Sequence, residues 1–214
     1  MSKIKVAIVE DDENWLKTMT DFLERFEDIE VVWTALTRAD AIETIKSFVD
    51  TDVVLMDINL NGNRHEGIFT VLDILEFKTV KVIMLSSLTD DDTIKDSFTA
   101  GAVNYIIKSN YKDIPDIIRQ TYNDISSIDV LLKEFMRLKK EEQLIKLTPS
   151  EREVFGYKEK GYKQIQIEKM LFKAESTVKA QVKSILRKLN VKSSKKAVKK
   201  VNNRGLLEDE HTSS

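Results

Sequence analysis

Residues 3–125 alternate short apolar runs with longer stretches of helical period. The apolar runs at residues 5–9, 31–35, 53–56, 81–85 and 103–107 have strand length and predict buried β-strands. Between them, residues 13–26, 38–48, 67–77, 91–100 and 114–126 carry apolar positions at helical spacing. Strict βα alternation predicts a parallel sheet with helices on both faces. The expected fold is α/β: a flavodoxin-like, doubly wound, five-stranded domain over residues 1–126.

The pattern then changes. Ile128, Leu131, Leu132, Phe135 and Leu138 follow an i, i+3, i+4, i+7, i+10 spacing with Lys and Glu between, which predicts an amphipathic connecting helix within a linker over residues 127–146. Its apolar stripe has two readings, packing on its own domain or a dimer seam. Thr148-Pro149-Ser150-Glu151 combines a cap residue, proline at the first helical position and glutamate three residues after the cap, a strong helix start. Four short helices fit residues 150–160, 164–172, 176–189 and 194–203, giving an all-α helix-turn-helix domain over residues 147–204 and a flexible tail over 205–214.

Charge separates the two halves. The net charge of −2 hides 13 Lys/Arg against 24 Asp/Glu in residues 1–126, a net of −11, and 16 against 5 in residues 147–204, a net of +11. An acidic half joined to a basic half predicts two different partners, the basic one nucleic acid. The chain has no cysteine, which excludes disulfides and thiolate metal sites, and its two histidines, His65 and His211, lack ligand-spaced partners. The start Met1-Ser2-Lys3-Ile4-Lys5 lacks signal-peptide character and no apolar run reaches membrane-spanning length, so the expectation is a cytoplasmic protein with no membrane partner.

Carboxylates follow two of the expected strands: Glu10-Asp11-Asp12 after the first and Asp57 after the third. In an open α/β sheet, ligands bind at the carboxyl ends of the strands. Clustered carboxylates there suit a hard divalent cation such as Mg²⁺, held by Asp11 and Asp12. A carboxylate attacks a phosphoryl group when a metal neutralises the oxygens and a hydroxyl or cation steadies the developing charge. The expected parts are Asp57 as phosphoacceptor, Ser86 as hydroxyl donor and Lys108 as cation.

Residues 3–125 resemble the receiver domain of two-component response regulators through Val9-Glu10-Asp11-Asp12, Leu55-Met56-Asp57-Ile58-Asn59, Leu85-Ser86-Ser87 and Tyr105-Ile106-Ile107-Lys108. The resemblance implies that Asp57 accepts its phosphoryl group from a sensor histidine kinase. It implies Mg²⁺ held by Asp12, Asp57 and the main-chain carbonyl of Asn59, with Asp11 acting through water, and Tyr105 as an aromatic switch. The loop from Asn59 to Gly67 is two residues longer than the usual receiver loop and lacks its proline, and Ser109 stands where many receivers have proline.

In the basic half, Val178, Val182, Ile185 and Leu189 make one apolar stripe on the candidate recognition helix, which leaves Lys179, Ala180, Lys183 and Arg187 outward to meet phosphates and base edges. Thr177 and Lys188 complete the candidate DNA-contact set. The stretch from Leu147 to Val198 resembles the LuxR/NarL-type output domain of response regulators, in Leu147-Thr148-Pro149-Ser150-Glu151-Arg152-Glu153-Val154, Gly161, Ile167, Leu171, Thr177-Val178-Lys179 and Ile185-Leu186-Arg187-Lys188-Leu189-Asn190-Val191. That resemblance implies base contacts from Lys179, Ala180 and Lys183, and a dimer contact from the last helix. Gln181, Glu168 and Ala174 depart from the pattern, where histidine, alanine and a capping serine are usual.

The expected function is a phosphorylation-controlled transcription regulator, not an enzyme, that binds double-stranded promoter DNA as a homodimer formed on phosphorylation, with RNA polymerase a further candidate partner. The alternative is a phosphorylation-independent DNA-binding regulator whose receiver serves only for dimerisation. A haloacid-dehalogenase-like phosphatase needs a second aspartate two residues after the nucleophile, where this chain has Asn59, and an RNA-binding antiterminator is disfavoured by the helix-turn-helix landmarks.

Overall fold

A computed structural model describes residues 2–47, 50–63, 65–87, 89–123 and 127–206. It contains strands β1 (Ile4–Val9), β2 (Ile29–Ala35), β3 (Val53–Asp57), β4 (Lys81–Ser86) and β5 (Asn104–Ile107), interleaved with helices α1 (Glu13–Leu23), α2 (Arg38–Ser47), α3 (Glu66–Phe77), α4 (Asp91–Ala100) and α5 (Ile114–Asn123). The strands form one parallel sheet in the order β2-β1-β3-β4-β5, the flavodoxin-like order expected from βα alternation. β1 and β3 are almost wholly buried, as strands covered on both faces must be. β2, on the sheet edge, alternates buried and exposed positions.

The chain divides into two compact units, Met1–Glu134 and Phe135–Leu207. The boundary lies inside helix α6 (Ser127–Leu144). The second unit holds α7 (Pro149–Glu159), α8 (Gln164–Leu171), α9 (Glu175–Lys188) and α10 (Ser194–Asn202). Their core is Leu147, Val154, Phe155, Ile167, Val178, Ile185, Leu189, Ala197 and Val201. The second half of α6 is tied to α7 by Lys140–Glu159 at 2.7 Å and Glu141–Arg152 at 3.0 Å, while Leu131 and Leu138 of its stripe are exposed.

Several boundaries differ from the sequence expectation. α1 ends at Leu23, three residues short of Phe26, because the N–H groups of Arg25 and Phe26 bond back to Phe22 and Leu23 and tighten the last turn. β2 begins two residues before Val31. An unforeseen 3₁₀ stretch, Lys108–Asp113, fills the connection that opens where receivers commonly carry proline. Expected helical residues Phe48 and 124–126, and most of the expected tail, lie outside the described residues.

Candidate functional site

Strand register brings the acids, the hydroxyl and the lysine to one edge. Val9 pairs with Met56, so Glu10 and Asp57 follow at the same level; Asp57 pairs with Leu85, and Ser86 with Ile107, the residue before Lys108. The Lys108 ammonium lies 2.7 Å from Glu10 Oε2 and 3.0 Å from Asp57 Oδ1. Its other neighbour is the Trp15 ring, whose centroid is 4.8 Å away, within cation–π range. Asp11 completes the cluster: ligand oxygens of Glu10, Asp11 and Asp57 all lie within 4.8 Å of one another.

One ammonium faces three carboxylates, and the titration behaviour reflects the imbalance. Burial pushes the Glu10 carboxyl up to about 7, reinforced by Asp57 and opposed by Lys108. Burial also raises the Asp57 carboxyl, with Lys108 acting downwards and Asp11 upwards. Burial works against charge on Lys108, yet Glu10 and Asp57 hold its ammonium above the ordinary lysine range. A hollow of hard oxygen donors with surplus negative charge fits a divalent cation of the Mg²⁺ type. The Asn59 side-chain oxygen, in the loop that follows Asp57, is buried without a hydrogen-bond partner and is one more donor of that type.

The structure corrects the expected acid pair. Asp12, expected as a metal ligand, is exposed and caps α1 instead: its Oδ1 accepts from the N–H groups of Asn14 at 2.9 Å and Trp15 at 3.1 Å. The carboxylate that turns inward is Glu10, 1% exposed. The reason is where the strand stops: β1 ends at Val9 and α1 begins at Glu13, so Asp12 falls on the cap position, where a short carboxylate satisfies free helix N–H groups.

Ser86 is buried, and its hydroxyl hydrogen-bonds with that of half-buried Tyr105. Burial raises the Tyr105 phenol above its ordinary range against the effect of that bond. Gly67 was not foreseen as part of the site. A Cβ there would sit 1.8 Å from the Asp57 carbonyl oxygen, so only glycine lets α3 start this close to the phosphoacceptor strand.

In the second unit, Val178, Ile185 and Leu189 of the expected stripe are buried and Val182 is partly buried, while Thr177, Lys179, Ala180, Lys183 and Arg187 are exposed. Lys188 of the expected DNA-contact set is half-buried and paired within its own unit. Its ammonium lies 2.6 Å from the buried Glu151 carboxylate of the α7 capping box, so its charge is spent inside its own unit. Ala174 starts α9 with no side-chain cap, a loss of about 0.5 to 2 kcal/mol. Gln181 donates to Ser150 Oγ at 2.6 Å, and Glu168 accepts from Gln164 at 3.0 Å.

These two units match known families. The model of the response regulator receiver domain covers residues 6–119, and that of bacterial regulatory proteins of the luxR family covers residues 146–201. The response regulator protein VraR of Staphylococcus epidermidis is 33% identical over 200 residues, 91% of this chain and 94% of that protein. This chain belongs to the response regulators. VraR of Staphylococcus aureus is 32% identical over the same shares. Among solved structures, the response regulator domain of Thermotoga maritima CheB is similar at 26% identity and a TM-score of 0.53, covering 58% of this chain and 99% of that one. The complex of the response regulator RcsB with DNA shares the fold at 20% identity and a TM-score of 0.51, over 94% and 99%. The response regulator is thus a two-component transcription regulator with a receiver and a LuxR-type helix-turn-helix DNA-binding domain. Among its described residues no helix is long and apolar enough to cross a membrane.

Proposed function

We propose that this response regulator is switched by phosphorylation of Asp57. The observation that carries the reading is the Lys108 ammonium bridging Asp57 and Glu10 beside Asp11. A sensor histidine kinase donates the phosphoryl group: the N–P bond of its phosphohistidine breaks as an O–P bond to Asp57 forms. Lys108 and the Ser86 hydroxyl steady the phosphoryl oxygens, which draws Ser86 away from Tyr105 and makes that pair the switch. Glu10, Asp11, Asp57 and the Asn59 main-chain carbonyl are the residues that would hold Mg²⁺. The ion supplies positive charge that neutralises the transferred group.

Phosphorylation then favours a homodimer that sets two α9 helices on promoter half-sites about one helical turn apart. Lys179, Ala180 and Lys183 face base edges and the phosphates beside them, and Thr177 and Arg187 the backbone. Both partners place the protein in the cytoplasm, in the functional frame of a receiver over residues 1–126 and a DNA-binding domain over 147–204. The fold shared with the RcsB–DNA complex supports the DNA arm.

Promoter affinity of the full chain, measured at fixed salt with and without a small phosphodonor, tests the reading. Tighter binding after phosphorylation, abolished in Asp57→Ala, is the expected result. Equal affinity in both states rejects the switch, and a promoter response that persists in Asp57→Ala establishes the phosphorylation-independent alternative.

A further inference from the structure

The loop between Asp57 and α3 is longer than the usual receiver loop, and its extra length is folded rather than open. Leu60 is fully buried and pins the loop to the domain. Asn61 and Gly62 both take left-handed backbone conformations, φ 54° and 72°, and the Asn63 N–H donates to the Leu60 carbonyl at 2.9 Å. This is the Asn-Gly tight turn of the type I′ pattern, closed by a bridge between Leu60 and Asn63. The far end is pinned too, because the Gly67 N–H donates to the Ile58 carbonyl at 3.0 Å and Gly67 packs on the Asp57 backbone. At the tip, the Asn61 N–H donates to Asp11 Oδ2 at 2.8 Å, fifty residues away in sequence.

We propose that this turn is a positioning element for the metal site: the Asn61 N–H fixes the Asp11 carboxylate so that it faces Glu10 and Asp57. The inference rests on the reading that these carboxylates take a divalent cation. Asp11 needs such a guide more than its neighbours. Glu10 and Asp57 are buried and held by the same ammonium, whereas Asp11 is half-buried and makes no ion pair among the described residues. Repulsion from two adjacent carboxylates pushes Asp11 toward solvent. A charge-assisted hydrogen bond from a rigid backbone donor opposes that movement and orients the oxygens before the cation arrives. Outer partners of this kind typically set metal affinity by 10- to 100-fold. Asn61 thereby acts through Asp11 and touches neither the cation nor the phosphoryl group.

The test is Mg²⁺ binding by the full chain, followed by isothermal calorimetry and by the fluorescence of Trp15, whose ring borders the site. Gly62→Val sets a β-branched residue at φ 72°, where its Cβ would meet nothing within 4 Å, so backbone strain in the turn is the expected source of its effect. The expected result is Mg²⁺ affinity weaker by about 10-fold or more in Gly62→Val, a smaller loss in the less strained Gly62→Ala, and wild-type affinity in Asn61→Gly, which keeps both the N–H and the positive φ. Melting curves accompany each variant, and Gly62→Ala carries the test if Gly62→Val folds poorly. Wild-type Mg²⁺ affinity in both Gly62 variants overturns the positioning role. Absence of Mg²⁺ binding in the wild-type protein removes the metal reading itself, a result independent of the turn.

Discussion

Two buried glutamates, one in each unit, face a lysine across nearly the same distance, and their surroundings treat them in opposite ways. Glu10 lies 2.7 Å from Lys108 and its carboxyl is pushed up to about 7. Glu151 lies 2.6 Å from Lys188; burial works to raise it, but bonds from Lys188, Ser184 and Thr148 hold it down at about 2. The difference is the ratio of donors to charge. Glu151 gathers an ammonium, a hydroxyl and the Thr148 N–H around a lone carboxylate. Glu10 shares one ammonium with Asp57 and has Asp11 beside it. A satisfied carboxylate is a clamp, and the helix-turn-helix uses Glu151 to fasten the end of its recognition helix to the start of α7. An under-compensated cluster is electrostatically tense, and that tension becomes binding energy for a cation or a cation-held phosphoryl group.

The largest expected effect breaks the clamp. Lys188→Met leaves the ionised Glu151 buried without its cation, which costs about 3 kcal/mol at neutral pH. Calorimetric melting of the full chain should show the helix-turn-helix transition fall by several degrees while the receiver transition holds. Equal melting of wild type and variant would mean that Glu151 is already satisfied by Thr148 and Ser184 and that the lysine is incidental.

The next effect sharpens the contrast through pH and metal. Glu151 has a depressed folded pKa, so its stabilisation is present above the unfolded carboxylate range and is lost as pH falls from about 4.5 towards 2. Glu10 has a raised folded pKa, so its contribution is fully present below about 4.5 and is lost as pH rises through about 7. The metal-free receiver should therefore melt lower at pH 8 than at pH 5, while the helix-turn-helix weakens only in acid. Mg²⁺ at a hundredfold excess over its Kd should restore the receiver by about 2.7 kcal/mol and leave the second unit untouched. A receiver whose stability is flat from pH 5 to 8 in chelator would show that its acids are not in tension.

The contrast also explains what the sequence makes legible. Five apolar runs separated by helical stretches dictate the sheet, and the strand-end positions of Asp57, Ser86 and Lys108 follow from where those runs stop. The choice among Glu10, Asp11 and Asp12 does not follow, because three consecutive acids straddle the end of β1 and the cap of α1. One residue of uncertainty in either boundary exchanges ligand for cap. The Asn61-Gly62 pair is a turn signal readable from sequence, but its bond to Asp11 depends on how the loop packs. The ion pair of Lys188 is hidden from the sequence for the same reason. On a helical wheel it flanks the apolar stripe, and only the packing of α9 on α7 shows a carboxylate 37 residues away waiting for it.

The smallest expected effect separates two lysines that lie one and a half turns apart on the same helix. Lys183 is exposed and makes no ion pair among the described residues, whereas Lys188 is committed to Glu151. Each phosphate neutralised by a protein cation releases condensed counterions, so removing one contact lowers the slope of log affinity against log salt by about 1. Lys183→Met should therefore flatten the salt dependence of promoter binding by about that amount, with the melting of the helix-turn-helix nearly unchanged. Lys188→Met should do the reverse, lowering the melting temperature and leaving the slope alone at temperatures where the unit is folded. If Lys188→Met flattens the slope as much as Lys183→Met does, its ammonium leaves Glu151 for the DNA backbone on binding. The two basic side chains would then belong to one surface after all.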